Sequence, residues 1–233
     1  MNSDFNSLSG YPTVRIYGVD CNQISTVVSA ASSKSIHVFA GLLAISDVAG
    51  DLGSMIKQLN GKFDGTITTI SIGNELVDFG KASPADVVTA LGTAREILGK
   101  AGYKGQVVTV DTFNALIAHP ELCTASDYCA ANAHAFFDGT IEAAGAGAWI
   151  QKQVGRIADA VGGGKEVVIT ESGWPHAGGN NGVAVPSPEN QKTALESIRG
   201  AFNGSEGLFL FTAFDDKWKA DGKLAVEKYW GVM

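Results

Sequence analysis

Positive charge is scarce in this chain, as are long apolar runs and cysteines. Only 17 Lys and Arg face 24 Asp and Glu, for a formal net charge of −7 and a pI near 5.0. A surface of that sign repels polyanions, which disfavours nucleic acid and anionic membrane faces as partners. Acidic polysaccharides are disfavoured for the same reason, and neutral substrates stay open. The apolar runs are short against the roughly 20 residues a membrane-crossing helix needs. Met1–Gly10 is polar and has no apolar h-region, so no signal peptide is read there, and the chain is expected to begin at a mature or an artificially chosen terminus. The cysteines are Cys21, Cys123 and Cys129. An odd count leaves at least one thiol free or paired outside the chain. Cys123 and Cys129 are close enough for a small disulfide loop. The alternative is three buried thiols.

Several kinds of chemistry lack their motifs. A phosphate loop needs a glycine-rich turn after a strand, whereas "VGGGKE" (161–166) precedes one and has Glu166 where Ser or Thr should follow the lysine. "AGAGAW" (144–149) lacks a third glycine and a preceding strand, and reads as a helix entry. Ser172 follows Thr170 and Glu171, so it sits in no nucleophile elbow. His37, His119, His134 and His176 show no metal-ligand spacing. No metal and no cofactor are therefore expected.

With 45% hydrophobic and 18% charged residues, the 233-residue chain can bury a sizeable core. Apolar, β-rich runs recur at 13–20, 36–47, 66–75, 106–111, 128–138, 166–171 and 207–215. Helical segments separate most of them. Residues 83–103 open with Ser83 as N-cap and Pro84 at the first helical position, and Gly102 can end the helix. Residues 187–202 repeat this with Ser187 and Pro188, and 22–33, 48–60 and 143–161 read as weaker helices. Strand alternating with helix predicts a parallel sheet. Barrels of this pattern run to about 200–250 residues as one domain. No linker interrupts residues 1–233, so one domain is expected.

Each run ends in or next to an acid: Asp20, Asp47, Glu75, Asp111, Asp138, Glu171 and Asp215. An acid after a strand is ordinarily a helix N-cap, which accounts for several of these. Yet the C-terminal ends of parallel strands carry the ligand site in α/β proteins. Crowding there is expected to raise some carboxylate pKa values by mutual repulsion. Carboxylate pairs suit glycoside hydrolysis, in which one group donates a proton and the other attacks or activates water.

At "SIGNE" (71–75) and "VVITESGWP" (167–175) the chain resembles glycoside hydrolase family 17, the endo-β-1,3-glucanases and β-1,3-glucanosyltransferases. "SGYPTVRIYGVDCNQ" (9–23) looks like the fungal cell-wall branch, and the similarity runs on to "EKYWGVM". The resemblance implies a TIM-type (β/α)8 barrel in the α/β class, apparently lacking its first strand. "SDFNSLSGY" (3–11) resembles the end of the helix that follows that strand, and a cysteine of the absent segment would partner Cys21. It implies a retaining glycosidase acting on β-1,3-glucan by hydrolysis or transglycosylation, secreted or in the cell wall. Self-association at an open barrel edge is a further expectation. A non-catalytic glucan-binding or structural wall protein is the rival.

By motif, Glu75 matches the acid/base and Glu171 the nucleophile, and Asn74 would bond the sugar 2-hydroxyl. Tyr17 matches a strand-end tyrosine of the family. "FDDKWK" (214–219) resembles a segment carrying an acid and a lysine near the site, here Asp216 and Lys219. His134 stands where plant members have tyrosine, and its imidazole could bond Glu171. It could equally be structural. Phe136, Phe137, Trp174 and Trp218 are candidates to stack on pyranose faces, with Trp174 and Trp218 placed to face the cleft. Aromatics this close to strands are often core instead.

Overall fold

The computed structural model describes residues 2–203 and 207–233. The chain folds as two compact units that divide between Ala130 and Ala131. The first holds α1 (Asn2–Ser7), β1 (Thr13–Arg15), α2 (Gln23–Ser32), β2 (His37–Leu42), α3 (Val48–Gln58), β3 (Ile67–Asn74), α4 (Pro84–Lys100), β4 (Gln106–Thr112), α5 (Phe113–Ala118) and α6 (Glu121–Ala125). β5 (Cys129–Asn132) lies at the border. The second holds α7 (Ala146–Ala160), β6 (Val167–Ser172), α8 (Pro188–Ala201) and β7 (Leu208–Leu210). The seven expected strands are thus present among the described residues. They follow chain order, β1 to β4 in the first unit and β6 beside β7 in the second.

Pairing is parallel in both units, as the strand–helix alternation requires. In the first unit Val14 pairs Val38, Ile70 sits between Ala40 and Val107, and the central side chains are buried on both faces. That explains why β2, HVFAGL, reads as a near-continuous apolar run rather than an alternating one. Phe39, Leu42, Ile70, Ile72, Leu91 and Leu98 form the buried centre there.

The helix boundaries follow local chemistry. Ser83 Oγ accepts from Asp86 N, and Asp86 Oδ2 accepts from Ser83 N, a reciprocal cap on α4. Gly102, at φ +82°, takes the chain out of the same helix. Ser187 caps α8 through Asn190 N, and Asp47 caps α3 through Gly50 N. Two elements escape the sequence pattern. α5 and α6 occupy a stretch with no clear periodicity, started by Thr112 Oγ1 accepting from Ala115 N and by Pro120. Five- and six-residue helices are too short to show a 3.6-residue repeat.

The strands are also shorter than their apolar runs. After Arg15, Asn132 and Leu210 the chain leaves the ladder and builds irregular structure, such as the 3₁₀ turn Ala135–Phe137. Cys123 and Cys129 form a disulfide joining α6 to β5, which settles the choice left open by spacing. Cys21 is an exposed free thiol.

In the second unit α7 lies against α8 at Gly147, whose N–H donates to Ser197 Oγ at 3.0 Å. A Cβ on Gly147 would collide with the Ser197 carbonyl. Gly155, in the same helix, has open space around it. Gly→Ala in a helix interior ordinarily gains up to about 1 kcal/mol, whereas overpacking costs about 1–3 kcal/mol. Gly155→Ala should therefore raise the melting temperature slightly, and Gly147→Ala should lower it by several degrees in the same calorimetric assay.

Candidate active site

The first unit places Glu75 immediately after β3. The register between β3 and β4 shifts between Ser71 and Asn74, Gly73 takes φ +82° and Glu75 itself takes φ +54°. A left-handed backbone at a glutamate is costly unless its surroundings enforce it, and such positions cluster at functional sites. The enforcement is visible. Glu75 N donates to Val110 O at 3.0 Å, and Asp111 on β4 accepts from Val77 N at 2.9 Å and Asp78 N at 3.3 Å. Burial pushes Asp111 above the ordinary value of 3.8, and the N–H groups of Val77, Thr112 and Asp78 pull it back. Its role is to clamp the turn that follows Glu75.

Beside Glu75, Asn74 Oδ1 accepts from Arg15 Nη2 at 2.8 Å. A guanidinium can only donate, so this bond turns the amide NH2 away from Arg15. The guanidinium lies 4.4 Å from the Tyr17 ring centroid and 5.2 Å from that of Phe39, a cation–π stack that fixes its plane. The sequence reading passed over Arg15. Its signal was a lone cation inside the apolar run "TVRIYG".

The second unit places Glu171 near the end of β6, only 7% exposed. Its backbone carbonyl accepts from Ala133 N at 2.9 Å, and its Oε2 lies 3.3 Å from His134 Nε2. His134 Nδ1 is buried with no hydrogen-bond partner among the described residues. The tautomer with its proton on Nε2 satisfies the contact with Glu171 and leaves only a lone pair buried at Nδ1. The imidazole stands edge-on to Trp230 at 5.0 Å and Phe211 at 5.3 Å, with Phe137 at 6.1 Å. Phe211 and Trp230 escaped the sequence reading because their runs look like ordinary core.

The remaining candidates separate clearly. Trp174 does not face a cleft as expected. It is fully buried, packs edge-on against Phe136 at 5.3 Å and donates from Nε1 to Val185 O at 3.1 Å, so this tryptophan serves the core. Phe136 is buried as well, whereas Phe137 is half exposed and Trp218 is 80% exposed. Asp216 and Lys219 pair at 2.9 Å, Trp218 Nε1 donates to Asp216 Oδ1 at 3.2 Å, and the Lys219 ammonium lies 4.7 Å from the Phe211 centroid.

The strand-end acids also sort themselves. For Asp111, Asp138 and Asp215 mutual repulsion is not the main influence. Asp138 is held below the ordinary value by hydrogen bonds from Thr140 and Trp149 Nε1. Among the described residues no three His, Cys, Asp or Glu are grouped to hold a metal ion, and no helix is long and apolar enough to cross a membrane.

Seven parallel strands alternating with helices, with glutamates closing β3 and β6, define a glycosidase-type α/β barrel chain. It belongs to the BtgE/BtgC glycoside hydrolase domain family, whose model matches residues 1–231. It is 47% identical to the cell surface mannoprotein MP65 of Candida albicans over 99% of this chain and 60% of that protein. It is 46% identical to the probable family 17 glucosidase SCW10 of Saccharomyces cerevisiae, over 99% of this chain and 59% of that one. The chain thus spans about three-fifths of these relatives' length. In three dimensions it matches an active-site mutant of the Rhizomucor miehei β-1,3-glucanosyltransferase in complex with laminaritriose. That match has a TM-score of 0.86 and 24% identity, and covers all of this chain and 86% of the other. The match shows the fold, a TIM-type barrel.

Asp215 gives the second unit a pH signature. Although burial raises it, hydrogen bonds from Lys217, His176 and Gly231 N hold it below the ordinary 3.8. Below that value the unfolded chain takes up a proton before the folded one does. The stabilisation is therefore full above about pH 4 and is lost as pH falls through the folded value. Asp215→Asn should flatten the acid limb of a melting-temperature profile between about pH 2 and 4 relative to wild type.

Proposed function

We propose that this chain is a retaining glycosidase acting on β-1,3-glucan at a fungal cell surface, with Glu171 as nucleophile and Glu75 as acid/base. The observation that carries the reading is the buried Glu171 carboxylate facing His134 Nε2 at 3.3 Å. With its proton on Nε2, that imidazole can hydrogen-bond the carboxylate that attacks. Glu75 occupies the less buried position, on a turn clamped by Asp111, which suits a group that must give and take a proton. Family membership and the laminaritriose bound by the Rhizomucor enzyme support the choice of substrate. The names of the Candida and Saccharomyces relatives support the location and the activity.

In the first step a Glu171 oxygen attacks the anomeric carbon of the donor sugar. The bond from that carbon to the glycosidic oxygen breaks, and the departing oxygen takes the proton from Glu75. In the second step the Glu75 carboxylate removes a proton from an incoming hydroxyl. The oxygen of that hydroxyl bonds to the anomeric carbon, and Glu171 leaves as a carboxylate. Water as the acceptor gives hydrolysis, and a glucan hydroxyl gives transfer. Asn74, its Oδ1 bonded by Arg15, would donate from its amide to the sugar 2-hydroxyl oxygen, a contact that strengthens in the transition state.

Glu171→Gln should remove turnover of laminari-oligosaccharides while retaining their binding, since the amide fills the same space but does not attack carbon. Glu75→Ala should lose roughly 10²–10⁴-fold in rate. Azide should restore turnover of an activated aryl glycoside in that variant by giving the glycosyl azide. Retained activity in Glu171→Gln, or no azide rescue of Glu75→Ala, overturns these assignments. Wild-type binding without turnover would instead indicate a non-catalytic glucan-binding protein.

The ligand is neutral, so its affinity should stay nearly flat between low and high salt in titration calorimetry. A polyanion would show a steep fall.

A further inference from the structure

Among the described residues of the first unit, two large apolar side chains are exposed, Leu43 at 58% and Phe79 at 62%. Scattered surface hydrophobics need no explanation. These two are not scattered. Leu43 O accepts from Asn74 N at 3.3 Å, and Phe79 N donates to Glu75 O at 3.3 Å. The two residues that expose apolar surface in this unit are thus bonded through their backbones to Asn74 and Glu75.

We infer that Phe79, flanked by Leu43, is the platform for the leaving-group sugar and hence for the acceptor, and that it sets the balance between transfer and hydrolysis. This deepens the retaining β-glucan reading above and rests on it. The chemistry locates the sugar. A general acid must lie beside the glycosidic oxygen, so the residue carrying that oxygen away begins at Glu75. Phe79 stands one turn further along the chain, on the order of 5 Å away. The intervening turn is held by Asp111 through Val77 N and Asp78 N, so the ring is presented from a fixed support. The Lys81 ammonium, 5.4 Å from the ring centroid, restrains it further. A β-linked glucose ring carries its hydroxyls equatorially and offers flat C–H faces, which an aromatic ring desolvates without needing a charge. The neutral ligand proposed above fits that requirement.

The second chemical step makes the platform decisive. Water needs no stacking surface, whereas an acceptor glucan must reside beside Glu75 long enough to lose its proton. Weakening the platform should therefore penalise transfer more than hydrolysis.

The test compares wild type, Phe79→Ala and Phe79→Trp acting on laminarihexaose, with longer and shorter products quantified by chromatography. Phe79→Ala should lower the ratio of transfer to hydrolysis by about tenfold, the loss of one aromatic contact. Phe79→Trp should restore it. Because Phe79 is exposed, both variants should melt within a degree or two of wild type. A Phe79→Ala ratio equal to wild type, or a loss that Phe79→Trp does not restore, overturns the inference. If wild-type protein forms no product, the catalytic reading fails. The platform is then judged by calorimetric titration with laminarihexaose, where Phe79→Ala should weaken affinity by the same factor and an unchanged affinity overturns it.

Discussion

Burying a carboxylate without a partner costs several kcal/mol, so a glutamate 7% exposed near the end of a strand needs a donor built around it. In the second unit the His134 imidazole, with its proton on Nε2, meets that need, and much of the local structure follows from holding it. The chain leaves β5 after Asn132 and turns through Ala135–Phe137, which places the imidazole 3.3 Å from Glu171. Trp230, Phe211 and Phe137 present ring edges or faces to it from both sides of the sequence. Phe136 and Trp174 pack behind them. An aromatic shell of this kind excludes water and strengthens the contact it surrounds. The fully buried Trp174 is best understood as part of that support.

The first unit answers a different requirement with different means. Glu75 is less buried, and what is controlled is its backbone. A register shift at the end of β3, a left-handed Gly73 and a left-handed Glu75 carry the chain out of the ladder. Buried Asp111 then ties down the next two amides. Arg15, stacked on Tyr17 and bonded to Asn74, fixes the neighbouring amide. Under the proposed chemistry, Glu171 is the held anion and Glu75 the group that gives and takes a proton.

The fold was legible because periodicity and capping are local. Ser83–Pro84 and Ser187–Pro188 marked their helices within a residue, and the apolar runs marked the strands. The two glutamates stood out through their motifs. What stayed hidden depends on which way a side chain points after a strand ends. Trp174 and Trp218 look alike in sequence, yet one is sealed against Phe136 and the other is 80% exposed. Arg15 was concealed inside an apolar run, and Asp111 showed its strand-end position but not its task. Their partners are 59 and 34 residues away, beyond the reach of any local pattern. The strand-end acids show the same limit. Asp47 is a helix cap, Asp138 bonds Trp149, and Asp215 bonds His176, distinctions the shared position does not reveal.

The central claim is that Glu171 forms a covalent bond to the sugar, and trapping that bond tests it most directly. A 2-deoxy-2-fluoro laminaribiosyl fluoride forms the glycosyl-enzyme but resists its breakdown, because the fluorine destabilises the oxocarbenium-like transition state. Peptide mass spectrometry of the inactivated protein should find one fluoroglycosyl group, on Glu171. A label on another residue, or unlabelled protein that still turns over laminari-oligosaccharides, would contradict the account.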